Sequence, residues 1–178
     1  SGGRKIADFL IAGGHKKIAH IAGWEGASTQ RDRETGFLSG LHSVGIKLFA
    51  REVGNFQIEK AREAARKMFK NNDYPDAVFV ANDHMAIGVM DVLRIELGLR
   101  IPDDVSVIGY DDVSAAEWSA YSLTTVRQPA TQMVEETVSI LMDQIENKAK
   151  SPRRIAIDGP LIVRGSAKIP EGWKNERF

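Results

Sequence analysis

Short runs of consecutive apolar residues alternate along this chain with stretches in which apolar residues recur every three or four positions. Runs at 17–22, 46–52, 77–81 and 105–110 read as strands. Apolar side chains at successive positions mark a strand covered on both faces, the condition of a central parallel strand. Helical spacing fills the intervals. Residues 4–12 carry Ile6, Phe9 and Leu10 on one side and end at Gly13-Gly14. Thr29 is a candidate cap for a helix to Ser43 that turns Phe37, Leu38, Leu41 and Val44 inward. Asn55 is a candidate cap for a helix over 56–70 burying Ile58, Ala61, Ala65, Met68 and Phe69. A further helix spans 83–97 and stops at Gly98. Residues 123–126 are extended. Pro129 opens a long helix to about 147, since its missing N–H has no helical partner in the first turn. Short strands at 154–157 and 160–163 precede a polar tail.

Four strand–helix units in succession predict an α/β fold built on a doubly wound parallel sheet. Right-handed crossovers then bring four strand ends to one edge, at 23–28, 53–56, 82–83 and 111–112. At two of these ends the apolar run stops abruptly at polar side chains, Asn82 with Asp83 and Asp111 with Asp112. Open parallel sheets take their ligands just outside such ends.

Composition narrows the chemistry. The 178 residues suffice for one domain with a real core. Lys plus Arg equals Asp plus Glu at 24 each, which argues against this segment holding DNA by itself. The absence of cysteine excludes disulfides and thiolate metal sites. No apolar run reaches the ~18–20 residues of a membrane span. Residues 1–14 carry no secretory signal, and Ser1-Gly2-Gly3 reads as the interior of a longer chain.

The edge lacks the parts of an enzyme. There is no GxSxG elbow, phosphate loop, HExxH pair or cysteine nucleophile. Of His15, His20, His42 and His84, only His84 falls near the edge. Asp111-Asp112 could hold Mg²⁺, but adjacent strand residues point to opposite faces, so one acid turns away to cap or pair. An uncharged polar ligand fits better. Arg33 offers a fork of donors, Asn82 a donor with an acceptor, and Asp111 a pure acceptor. Phe56 or Trp24 supplies a flat wall. Such a set suits a sugar, polyol or nucleoside-like molecule. Each residue also has a plainer role. Arg31 and Arg33 could be solvated helix charges, Asn82 and Asp83 caps, and Phe56 a hydrophobic staple. Trp118 and Tyr121 belong to a core or an interface.

The segments "GGHKKIAHIAG", "RDRETGF", "PDAVFVANDHMAIGVMDVLRIELGLRIPDDVSVIGYDD" and "LTTVRQP" occur in this order. Together they resemble the effector-binding core of lactose-repressor-type (LacI/GalR) transcription regulators, from Gly2 to about Gly165. The resemblance implies a periplasmic-binding-protein-like (type I) fold of two lobes with ligand between them. It implies a homodimer that reads operator DNA through an N-terminal helix-turn-helix, which this chain lacks. Residues 16–122 would form the C-terminal lobe, with 1–15 and 123–165 belonging to the other lobe and hinge. Ligand contacts carry over to Arg33 (of "R-x-x-G", with Gly36), Asn82, Asp111, the aromatic Phe56 and the hinge-side Gln128. Trp24 stands where the family usually has proline, and Ala130 where some members have an aromatic. The resemblance places the dimer interface at Ile87 and Trp118. It implies a cytoplasmic protein with no cofactor, metal, catalysis or membrane partner. The alternative is the sugar-binding protein of an ABC transporter, which shares the fold.

Overall fold

The computed structural model describes residues 1–128 and 159–174. The helix expected from Pro129, the strand expected at 154–157 and the position of Ala130 lie outside them. The elements run α1 (Gly2–Ala12), β1 (Ile18–Ala22), α2 (Ser28–His42), β2 (Ala50–Val53), α3 (Ile58–Met68) and β3 (Ala77–Val80). Then come α4 (Asp83–Asp91), a π-helical turn (Val92–Glu96), β4 (Ser106–Asp111), a 3₁₀ turn (Ser114–Glu117), β5 (Thr124–Arg127) and β6 (Leu161–Ile162). The strands make one sheet in the order β2-β1-β3-β4-β5-β6, parallel throughout except for β6. The parallel doubly wound α/β fold expected from the hydrophobic pattern is therefore observed. The chain moves from β1 to β2 on one side and then to β3 on the other, so the strand order reverses beside β1.

Alternation along each strand feeds two cores. Ala19, Ile21, Val78, Val80 and Val107 point to the face covered by α3 and α4. Ile18, Ala77, Phe79, Ile108 and Tyr110 point to the face covered by α1 and α2. Both faces are dry, which is why the strands read as unbroken apolar runs. On the second face His20 is fully buried, stacked 4.7 Å from Phe79. The ring is satisfied at both nitrogens: Nδ1 lies 2.8 Å from the Phe79 carbonyl and Nε2 3.1 Å from Gln30 Nε2. Burial holds its pKa down at about 4, so the neutral imidazole is the folded form.

Two expected boundaries need correction. The resemblance puts the helix at 4–12 in the other lobe, yet α1 buries Ile6, Ala7, Phe9 and Leu10 in the same core as α2 and the sheet. Glycines allow the contact: a Cβ on Gly3 would lie 2.0 Å from the Arg33 carbonyl, and one on Gly40 2.5 Å from Ala7 Cβ. Gly36 likewise faces Ser1 and Arg4, so the glycine of the "R-x-x-G" motif is a helix-packing residue. The lobe was also expected to end at residue 122. The sheet instead continues through β5 and β6, whose Val126 and Leu161 join the second core.

Ser1 caps α1, its Oγ accepting from Arg4 N at 3.3 Å. The cap position of α2 is Ala27, with no side-chain bond, and that of α3 is Gln57. Val44 and Ile58, expected inward, are exposed. β2 is shorter than its apolar run because it is an edge strand, paired with β1 alone.

Candidate ligand-binding site

The carboxyl ends of β1 to β5 deliver the expected residues to one edge. β3 ends at Val80, and after Ala81 comes Asn82, the cap of α4, its Oδ1 accepting from Met85 N at 2.9 Å. The cap uses only that oxygen, so the amide N–H₂ can still donate elsewhere. Asn82 is thus the helix cap that the sequence offered as its plainer role. Asp83, beside it, is fully buried and turned into the protein.

Arg33 projects from α2 across the end of the sheet. Its guanidinium carbon lies 3.7 Å from the centre of the Tyr110 ring. Nη1 donates to the Ala81 carbonyl at 3.3 Å, and Nη2 lies 3.5 Å from Asp111 Oδ1. Arg33 is therefore no solvated helix charge: its side chain is 15% exposed, stacked and aimed at the ends of β3 and β4. Tyr110, the platform beneath it, was not singled out in the sequence, where it reads as one more apolar strand residue. Burial raises the pKa of Asp111, and the nearby charges of Arg33 and His84 oppose that rise. Gln128 joins the group through its backbone, with its N 3.5 Å from the Asp111 carbonyl.

Phe56 reaches the same edge from the turn after β2. Asn55 and Phe56 both adopt left-handed backbone, with φ of 55° and 58°. That turn lays the Phe56 ring against the end of β1, where a Cβ on Gly23 would be 2.1 Å from its Cζ. Phe56 is therefore a half-buried wall placed by a strained turn rather than the first residue of a helix. Trp24 is 59% exposed in the β1–α2 loop and folds over Gly26. Asp111 and Asp112 are left-handed as well, with φ of 110° and 60°. Non-glycine residues seldom hold such angles, and they cluster at binding sites where the surroundings enforce them. Two of the expected ligand residues, Phe56 and Asp111, are such residues.

Asp112 turns away from Asp111 and pairs. Arg127 Nε donates to its Oδ2 at 2.7 Å, and Arg164 Nη2 lies 2.8 Å from its Oδ1, off the hydrogen-bond axis. Asp83 accepts from Thr125 Oγ1 at 2.7 Å and from Val113 N at 2.9 Å. Burial pushes its pKa up to about 6, with Asp111 and Asp112 adding to the rise against those two hydrogen bonds. Among the described residues no group of three His, Cys, Asp or Glu could hold a metal ion. No described helix is long and apolar enough to cross a membrane.

The residues expected at an interface lie on α4 and just after the 3₁₀ turn. Trp118 is 61% exposed and Ile87 is half-buried on α4. Ile58 packs near Gly88 of α4, and Tyr121 donates to Asp91 at 3.2 Å. The outer side of α4 thus joins the turn that carries Trp118.

Comparison with known proteins agrees with this architecture. Residues 7–167 match the model of the periplasmic binding protein-like domain family. The HTH-type transcriptional repressor PurR of Vibrio vulnificus is 37% identical over 169 residues, 94% of this chain and 50% of that protein. PurR of Yersinia enterocolitica is 36% identical over 167 residues, 93% of this chain and 49% of its own length. The chain therefore spans about half the length of these relatives. Among solved structures, the dimeric Lac repressor with an 11-residue C-terminal deletion superposes with a TM-score of 0.84 at 29% identity, covering 96% of this chain and 62% of that one. The transcriptional regulator CelR–cellobiose complex gives 0.83 at 34% identity, covering 93% and 51%. This chain belongs to the periplasmic-binding-protein-like domain family, in the effector-binding form of the LacI/GalR-type regulators.

Proposed function

We propose that this chain is the sensing part of a LacI-type transcription regulator and binds a sugar or similar small polar metabolite at the strand-end edge. The observation that carries the reading is the convergence of Arg33, Asn82 and Asp111 beside the Phe56 ring. Arg33 and Asp111 would each take neighbouring hydroxyls, Asn82 would donate through its free amide, and Phe56 would stack on the apolar face of a ring. Trp24 and Gln128 would border the ligand. Hydrogen bonds to charged groups contribute about 1.5–3 kcal/mol each, so two or three with a stacked ring reach micromolar affinity, about −8 kcal/mol. That the CelR structure holds cellobiose favours a sugar. The role is binding, with no catalytic step and no cofactor.

In the complete regulator a second lobe would close over this edge, and an N-terminal helix-turn-helix would read operator DNA in the cytoplasm. Two subunits would associate through the surface around Ile87 and Trp118, where a large exposed aromatic adjoins the outer side of α4. Ligand that favours one lobe orientation would change operator affinity roughly 5–150-fold, for a coupling of about 1–3 kcal/mol.

The test is a thermal-shift and calorimetric screen of the full-length protein against sugars, polyols, nucleosides and purine bases. A sugar should raise the Tm in proportion to RT ln(1 + [L]/Kd), and Arg33→Ala or Asp111→Asn should abolish the shift. A compound that binds the wild type and both variants equally would refute the site. Trp118→Arg should yield monomers in solution scattering, and an intact dimer would refute the interface.

A further inference from the structure

We propose that Asp83 and Asp112 are positioning residues, which together hold Asp111 in its left-handed conformation with its carboxylate beside Arg33. The proposal rests on reading Asp111 as a ligand contact. Left to itself, the backbone at 111–112 would relax: two successive non-glycine residues at φ 110° and 60° hold an unfavourable conformation that only their surroundings can enforce.

Those surroundings are specific and buried. Immediately after the bend, Val113 N donates to Asp83 Oδ2 at 2.9 Å. Within the bend, Asp112 N donates to Thr125 Oγ1 at 3.3 Å, and that hydroxyl donates in turn to Asp83 Oδ1 at 2.7 Å. The Asp112 carboxylate, 5% exposed, is gripped by Arg127 from β5 and by Arg164 from the segment after β6. Arg164 is itself anchored, its Nη1 donating to the Leu123 carbonyl at 2.9 Å. Before the bend, Gly109 leaves room for the clamp, since a Cβ there would lie 2.2 Å from Asp83 Oδ1. The bend is thus fixed from α4, from β5 and from the segment after β6. Interlinked buried polar groups make a rigid, specific arrangement, and a partly broken set is far weaker than the whole.

The arrangement also reaches beyond the site. Residues 129–158 separate the segments that carry Arg127 and Arg164, and both arginines hold the same carboxylate. A shift of either segment would therefore be felt one residue from the ligand acid.

The experiment uses the full-length protein with Thr125→Val, Gly109→Ala, Asp83→Ala and Asp83→Asn. Thr125→Val removes the shared hydroxyl and Gly109→Ala displaces the Asp83 carboxylate, each without touching Asp111; they stand in if Asp83→Ala does not fold. Crystal structures report the φ of Asp111 and its contact with Arg33, and calorimetry reports binding of cellobiose and glucose. In Thr125→Val and Gly109→Ala, Asp111 should leave the left-handed region and lose Arg33. Binding should weaken about 30-fold, the scale of one charged hydrogen bond. Asp83→Asn, which keeps an acceptor for Val113 N, should restore most of the affinity that Asp83→Ala loses, a rescue that a merely structural role would not give. Asp111 unmoved in both Thr125→Val and Gly109→Ala would overturn the clamp. Wild-type binding by Asp111→Asn would overturn the ligand reading instead, whatever the bend does.

Discussion

Asp83→Asn changes one charge in a buried place and little else, so its effect on stability against pH can be worked out from the structure. The carboxylate is fully buried, and its folded pKa is about 6 against an ordinary 3.8. A raised folded pKa means that the native state holds the proton more tightly than the unfolded chain. The stability this contributes is fully present below about pH 3.8 and is lost as pH rises through about 6. The shift of about two units corresponds to about 3 kcal/mol, most of it falling between about pH 4 and about pH 7.5. The asparagine cannot titrate. Urea unfolding followed by near-UV circular dichroism, run across that range on both proteins, gives two curves whose difference isolates Asp83, because every other group is common to both. Relative to the variant, the wild type should lose about 2–3 kcal/mol on going from acid to neutral pH. Parallel curves would refute the reasoning, since they would mean that Asp83 ionises as freely in the fold as in water.

His20 should act with the opposite sign: its folded pKa of about 4 lies below the ordinary 6.5, so stability present above pH 6.5 is lost as pH falls toward 4, by about 3 kcal/mol. His20→Leu, though less stable at neutral pH because the Phe79 carbonyl and Gln30 lose their partner, should lack that acid slope in the same unfolding series. Gly23→Ala should displace the Phe56 ring, since its Cβ would fall 2.1 Å from Cζ, and should weaken ligand binding by calorimetry while the Tm moves little. Gly3→Ala should force α1 off α2 and lower the Tm, because its Cβ would meet the Arg33 carbonyl at 2.0 Å and backbone cannot give way as a side chain can. A Tm within about a degree of wild type would refute that contact, since core overpacking costs about 1–3 kcal/mol.

Most of this fold could be read from the sequence because parallel strands buried on both faces leave an unmistakable signal. The runs ending at Ala22, Ala81 and Tyr110 marked the strands, and the polar residues after them marked the edge. Charge identity also sufficed to nominate Arg33, Asn82 and Asp111, since few residue types can bind hydroxyls at a strand end. Other features had no local signature. Whether α1 and β5 belong to this sheet depends on which apolar faces meet, and Gly3, Gly36 and Gly40 disclose the α1–α2 contact only once the two helices are adjacent. The left-handed angles at Phe56 and Asp111 were equally hidden, because neither residue is a glycine.

Sequence alone therefore determined the class of fold, the edge where the candidate residues gather and the kinds of group placed there, all consequences of hydrophobic period and side-chain chemistry. Tertiary structure decided how those groups are aimed. Tyr110 sets Arg33, Gly23 admits Phe56, and Asp83 with Asp112 bends the chain at Asp111. Such aiming depends on contacts between residues up to 78 positions apart, as from Arg33 to Asp111. Only the folded backbone brings such partners within a few ångströms of each other.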